Sequence, residues 1–314
     1  MNTEMPQTPS MFPVGLTGRF APSPTGPLHF GSLVAAVGSF LSIKSKGGRW
    51  LLRIEDLDPP REDRHAPDLI RATLEAHALP WDGDVLFQSS RHEAYLEALE
   101  QLIELDRCYP CSCTRGMVQR SGKIGPFGPI YAGSCRQFPM DPYSVFYSWR
   151  VQTDDTPIQF EDQRFGTQQQ RLESEVGDFI IKRADGYYAY QLAVVVDDAM
   201  QGVTEVVRGE DLLDNTPRQI YLQRLLGLPT PSYLHLPIAT NTHGNKLSKQ
   251  NHAPPLDNHQ ATQNLVKALT FLGHHPPAEL HRAPPETLID WALEHWHIDN
   301  LPAAPTTVTA PQTG

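Results

Sequence analysis

The clearest periodic signal in the chain follows His29, where the apolar residues Leu33, Val37, Phe40 and Leu41 recur at i, i+4, i+7 and i+8. That spacing predicts a helix with one buried face. Two short apolar runs bracket it. Residues 14–20 (VGLTGRF) read as a strand entering a loop, and beyond Gly47–Gly48 the run RWLLRIEDLD reads as a buried strand ending in acidic residues. A strand, a helix and a second strand in so short a span make a βαβ unit, which calls for a parallel sheet. Ligands of such sheets bind at the C-terminal ends of the strands. Both APSPTG and EDLD fall there.

Downstream, the pattern predicts a helix over 67–78, with Pro67 in its first turn, and another over 91–105. The second opens on a capping box, Ser90 with Glu93, and is expected to bury Tyr95, Leu99, Leu102 and Ile103. Residues 108–140 are rich in Gly, Pro and Cys without a period and read as an irregular insertion; 145–175 are polar and mostly extended. FIIKRADGYYAY is expected to fold as a hairpin around Asp185–Gly186. The run LAVVVDDAM fits a strand and a helix equally. Residues 202–208 read as a strand, and 215–226, 258–272 and 286–296 as helices. There is no internal repeat.

Composition narrows the class. At 314 residues, with 39% hydrophobic and 20% charged positions, the chain is an ordinary globular sequence with room for one large domain or two. No apolar run approaches the ~20 residues of a membrane span. The polar, Pro-rich start MNTEMPQTPSMFP has neither the basic region nor the apolar core of a signal peptide. A cytoplasmic protein is expected. The net charge of −10 argues against coating nucleic acid through bulk charge, although a local basic face is compatible with it.

Two segments carry candidate chemistry. In APSPTGPLHFGS, three prolines stiffen a loop, glycines let backbone approach a ligand, and the helix that follows offers free N–H groups suited to phosphate. His29 stands just before that helix and can donate to a phosphate as charge builds. Alone, such a loop is more often a Pro-rich turn. KLSKQ at 246–250 lies in a polar, turn-rich context. Two lysines around a small hydroxyl can follow a triphosphate through its transition state, yet alone they read as a solvated run. The pair of segments reverses both odds.

Together, RFAPSPTGPLHFGS and KLSK resemble the HIGH-type and KMSKS-type signatures of the class I aminoacyl-tRNA synthetases. The RFAPSPTG and RIED wording is similar to that of glutamyl-tRNA synthetases. RFAPSPTG, RIEDLDPPR, VVVDD and VVRGEDLL occur in order, and the likeness runs over roughly residues 15–255. It implies an α/β, Rossmann-like parallel-sheet catalytic domain with a zinc-binding insertion and a short C-terminal helical region. It also implies glutamate recognition at Arg19, Phe20, Ala21, Pro22, Ser23, Glu55, Tyr190 and Arg208. ATP binding is carried over to His29, Gly31, Ser32, Lys246, Ser248 and Lys249, with His29, Lys246 and Lys249 as the catalytic set and Mg²⁺ accompanying ATP. The residue types suit that role: two cationic anchors, Arg19 and Arg208, for two carboxylates, and Glu55 for an ammonium group. Asp56, Asp58 and Arg61 read as loop-structuring residues.

The chain departs from a full glutamyl-tRNA synthetase after Lys249, where too little sequence remains for a sizeable anticodon-reading domain. The resemblance is thus to the truncated branch of the family. It implies tRNA-independent glutamate activation and transfer to the queuosine base in the anticodon stem-loop of tRNA(Asp). Two rival readings stay open: a minimal synthetase charging the acceptor end, and a noncatalytic RNA-binding relic.

The four cysteines, Cys108, Cys111, Cys113 and Cys135, lie close in sequence, which in a cytosolic chain suggests metal before disulfide. Spacing alone allows a four-cysteine structural zinc site. The family resemblance instead implies Cys111, Cys113, Tyr131 and Cys135, with Cys108 a bystander. Arg115, Arg120, Lys123 and Arg136 gather around this insertion and fit RNA phosphates and a solvated face equally.

The expected organisation is a disordered N-terminus (1–13), two catalytic halves (14–107 and 178–235) around an insertion with the zinc subdomain (108–177), a lysine-loop and helical stem region (236–300), and a disordered tail (301–314). A monomer is expected, since no coiled-coil pattern is present.

Overall fold

The computed structural model describes residues 15–121, 123–137, 146–240, 254–303 and 306–307. Two groups of parallel strands form the centre. Thr17–Phe20 pairs in parallel with Arg49–Ile54, which pairs with Leu86–Phe87. Glu205–Gly209 pairs in parallel with Ser232–Leu236, which meets the hairpin Ile158–Asp162/Gly166–Gln170 at Tyr233 and Asp162. Hydrogen bonds between Thr204 and Thr17 join the two groups side by side. The expected parallel α/β architecture is present, with an antiparallel hairpin on one edge.

Helix Phe30–Lys44 returns the chain from the first strand to the second and lies across the sheet. Its burial is wider than the apolar stripe indicated: ten of its residues are buried, including Ser39 and Ser42. The packing is closest at two glycines. A Cβ on Gly18 would stand 2.4 Å from the Ile43 side chain, and one on Gly38 2.5 Å from Leu236. Trp50, fully buried, packs on Phe20 and Phe40 and donates from Nε1 to Ser39 Oγ at 3.0 Å. An indole in a core needs such a partner.

The run LAVVVDDAM lies in helix Tyr190–Met200. It is buried nearly all round, so no amphipathic period marks it. The hairpin expected around Asp185–Gly186 is a tight turn whose return arm is only a bridge, Lys182 to Tyr188, before the helix begins. The helix near 91–105 is His92–Glu104, but the capping box is absent. A 3-10 turn over Gln88–Arg91 precedes it, Ser90 Oγ donates to Phe87 O, and Arg91 takes the cap position without a side-chain bond. Ile103 is exposed; Tyr95, Ala98, Leu99 and Leu102 make the buried face.

The insertion is less irregular than its composition suggests. Cys108–Cys111 and Phe179–Lys182 flank Ser148–Val151 in a three-stranded antiparallel sheet. Helices Ala261–Phe271 and Pro285–His295 close the core on the helix Phe30–Lys44 side. Part of the expected disordered tail is placed: Leu301 is buried, and Thr306–Thr307 pairs in parallel with Ala239–Thr240. No helix among the described residues is long and apolar enough to cross a membrane.

Candidate active site

A cleft of about 760 Å³ opens at the C-terminal ends of the parallel strands. Arg19 and Phe20 finish the first strand, Glu55 follows the second, Arg208 and Gly209 finish the third, and Leu236 the fourth. All eight residues expected to meet glutamate (Arg19, Phe20, Ala21, Pro22, Ser23, Glu55, Tyr190 and Arg208) line it, as do His29, Gly31 and Ser32. The Pro-rich loop is held by the exit of the second strand: Glu55 N donates to Pro22 O and Asp63 N to Pro24 O.

His29 is the N-cap of helix Phe30–Lys44. Its Nδ1 accepts from Ser32 N at 3.3 Å, satisfying one of the N–H groups that every helix start leaves over. The neutral ring therefore carries its proton on Nε2, the nitrogen able to donate. Lys246, Ser248 and Lys249 lie outside the described residues. The described chain on either side abuts the cleft: Ala239 lines it, and Pro255 bridges to His29.

Asp198, the last acid of VVVDD, organises the cationic side. Its carboxylate meets Arg19 Nε at 2.9 Å and Arg53 Nη2 at 2.7 Å. Burial alone would raise the Asp198 pKa, but the two guanidinium groups outweigh it and hold the acid below its usual range. Arg53 is fully buried and also approaches Glu55 at 3.5 Å. Burial dominates at Glu55 itself and pushes its carboxyl up to about 6 against the pull of Arg53 and Arg19. Arg19 reaches both Asp198 oxygens, from Nε at 2.9 Å and Nη2 at 3.4 Å, so one edge of its guanidinium is already engaged.

Arg208 is arranged differently. Its five N–H groups donate to His235 Nε2 (3.1 Å), Tyr190 Oη (3.3 Å), Gln219 Oε1 (2.8 Å), Leu212 O (3.3 Å) and Thr216 Oγ1 (2.8 Å). All are neutral acceptors, and no carboxylate pairs with it among the described residues. A carboxylate could be taken bidentately only by exchanging two of these bonds. The two longest, to Tyr190 and Leu212, involve residues that line the cleft. Burial raises the Tyr190 pKa, so its hydroxyl stays protonated.

Sequence reasoning did not single out Arg53, Asp198, His235 or Asp162. The signal was present in the two acids inside an apolar run, since buried carboxylates need partners. The neighbouring Asp197 is likewise buried and holds Gln88, Arg91 and Tyr95. Asp56 and Asp58 tie loops together, accepting from Ser89 and Arg183.

In the insertion, the sulfur atoms of Cys111, Cys113 and Cys135 all lie within 4.8 Å of one another. The Tyr131 hydroxyl stands 3.3 Å from Cys111 Sγ and 3.5 Å from Cys113 Sγ. Arg150 Nε donates to Cys111 Sγ at 3.2 Å. Three soft sulfur donors and one oxygen in this space fit a four-coordinate zinc ion. Cys108 stands outside this group. Positions 108 and 111 of one strand face opposite ways, and Cys108 sits in the apolar core, where burial pushes its thiol up to about 12.

The model of the family described as tRNA synthetases class I (E and Q), catalytic domain, matches residues 15–273. The chain belongs to this family. Within the class I synthetases it is similar to a Thiobacillus denitrificans protein named Glutamyl-Q tRNA(Asp) synthetase, with 55% identity over 94% of this chain and 98% of that protein. A Neisseria gonorrhoeae protein of the same name is 49% identical over 94% of this chain and 99% of its own length. Among solved structures, the glutamate-tRNA synthetase from Elizabethkingia anophelis superposes with a TM-score of 0.76 at 22% identity, over 95% of this chain and 68% of that one. That last likeness speaks to the class I synthetase fold alone.

Proposed function

We propose that this chain activates glutamate with ATP to glutamyl-adenylate without tRNA, then transfers the glutamyl group to the queuosine base in the anticodon of tRNA(Asp). The observation that carries the reading is the convergence of Arg19, Glu55, Tyr190, Arg208 and His29 in one cleft, in a chain matching proteins of that name over nearly their full length. It acts as a monomer in the cytoplasm.

Glutamate brings two carboxylates and one ammonium group. Arg208 and the remaining edge of Arg19 meet the carboxylates, and Glu55 meets the ammonium. The α-carboxylate oxygen attacks the α-phosphorus of ATP, and the bond to the bridging oxygen breaks to release pyrophosphate. The protein's part is to align the two anions and to stabilise charge as it grows. His29 donates from Nε2, the backbone at Gly31 and Ser32 lies along the phosphates, and Lys246, Ser248 and Lys249 bring two cations and a hydroxyl to them. Mg²⁺ accompanies ATP. In the second step a hydroxyl of the queuosine cyclopentenediol attacks the activated carbonyl carbon and AMP leaves.

Cys111, Cys113, Tyr131 and Cys135 hold a structural zinc that closes the insertion, a segment with little core of its own. The adenylation half of the reading is tested by ATP–pyrophosphate exchange with glutamate and no tRNA. Exchange is expected, and its absence would sink tRNA-independent activation.

A further inference from the structure

Arg208 is buried, and a buried guanidinium is expensive unless its charge is compensated. Arg19 solves that problem with Asp198. Arg208 has no carboxylate partner among the described residues; its nearest compensation comes through an imidazole. His235 Nε2 accepts from Arg208 Nε at 3.1 Å, and His235 Nδ1 meets Asp162 Oδ2 at 2.6 Å. Neither His235 nor Asp162 lines the cleft: both lie behind Arg208, and His235 is fully buried.

Asp162 is held from every side. Its Oδ2 also accepts from His235 N at 3.1 Å, and its Oδ1 accepts from Arg164 N at 3.0 Å and Phe165 N at 2.9 Å. These bonds come from the turn of the hairpin Ile158–Asp162/Gly166–Gln170 and from strand Ser232–Leu236. An aspartate so anchored accepts and does not donate. It thereby places the imidazole proton on Nδ1 and leaves the Nε2 lone pair facing Arg208. The ring lies nearly parallel to that of Tyr233, at 11° between planes and 6.2 Å between centroids.

We infer that His235, oriented by Asp162, is the positioning residue that presents Arg208 to the substrate carboxylate. The inference rests on reading the cleft as the glutamate site. A carboxylate in the place of His235 would fix Arg208 equally well but would compete with glutamate for the guanidinium. A neutral acceptor fixes the position and leaves the charge available. Arg208 is therefore the stronger carboxylate anchor of the pair, because Arg19 already shares its charge with Asp198.

The test is glutamate-dependent ATP–pyrophosphate exchange by the full chain, with the KM of each substrate measured separately. His235→Phe removes the acceptor and should raise the KM for glutamate about tenfold or more, as expected when a buried charged donor loses its partner. The KM for ATP should stay within about twofold and kcat should change less than the glutamate KM. His235→Gln, whose Oε1 can accept near the Nε2 position, should restore the glutamate KM to within about threefold of wild type. Asp162→Asn can donate to Nδ1 and turn an N–H toward Arg208, so it should also raise the glutamate KM. It keeps the side-chain volume and carries the test if His235→Phe does not fold. An unchanged glutamate KM in a folded His235→Phe chain would overturn the inference, as would glutamate and ATP KM values rising together. Equal loss in His235→Gln and His235→Phe would do the same. Absence of exchange in the wild-type chain would instead overturn the adenylation reading.

Discussion

Replacing Glu55 by glutamine should make the protein more stable and less able to bind glutamate. The Glu55 side chain is 9% exposed and lies among Arg53, Arg19, Asp198 and Asp197. Burial pushes its carboxyl from 4.5 up to about 6, more than the two arginines pull it down. The folded state thus holds this proton more tightly than the unfolded chain does. The stabilising contribution is complete below about pH 4.5 and is lost as pH rises through about 6. At about 1.4 kcal/mol for each tenfold, the ionised carboxylate costs the fold about 2 kcal/mol at neutral pH. Glu55→Gln removes that cost, so urea unfolding at pH 7.5 should show a gain of up to about 2 kcal/mol that vanishes near pH 4. Activity should move the other way. In the free wild-type enzyme only about a tenth of Glu55 is ionised at pH 5, so kcat/KM for glutamate in pyrophosphate exchange should fall about tenfold between pH 7 and pH 5. The variant should be weak and lack this acidic limb. A variant less stable than wild type at pH 7.5, or one retaining both affinity and the acidic limb, would refute the assignment of Glu55 as a buried anion kept for the substrate ammonium.

Asp198→Asn should have the opposite sign. It leaves Arg19 and Arg53 buried without their shared carboxylate, and a loss of about 3–5 kcal/mol is expected in denaturant unfolding; a loss under about 1 kcal/mol would show that the two guanidinium groups do not depend on it. For the insertion, metal analysis should find stoichiometric zinc in the wild type and in Cys108→Ala, but not in Cys111→Ala. Tyr131→Phe should bind zinc more weakly than wild type, and a Tyr131→Phe chain that keeps zinc against the same chelator concentration would remove the phenol from the ligand set.

The motif-bearing parts of the site were legible because each sits in a short stretch with its own local signature. RFAPSPTG and RIE end parallel strands, and strand ends converge whatever the sequence between them. The supports of the site were not legible, because they are far apart in the chain. Asp198 reaches Arg19 across 179 positions and His235 meets Asp162 across 73; no periodicity records such pairs. Helix Tyr190–Met200 was ambiguous because eight of its eleven residues are buried, which blurs the pattern that distinguishes a helix from a strand. Cys108 needed the strand to be seen first, since only alternation along Cys108–Cys111 separates it from Cys111. His29 shows a different limit. Its place before a helix was readable, but its second role as N-cap, which settles where the ring proton lies, follows from the geometry to Ser32 N.

In the proposed reaction the activated glutamate goes to the modified anticodon base. The most direct measurement is transfer of labelled glutamate to tRNA(Asp) with and without queuosine, with a parallel sample whose queuosine diol has been cleaved by periodate. Label on the queuosine-bearing tRNA alone, lost after periodate, is the predicted result. Equal labelling of tRNA lacking queuosine would rule out the modified base as the acceptor and indicate charging of the acceptor end.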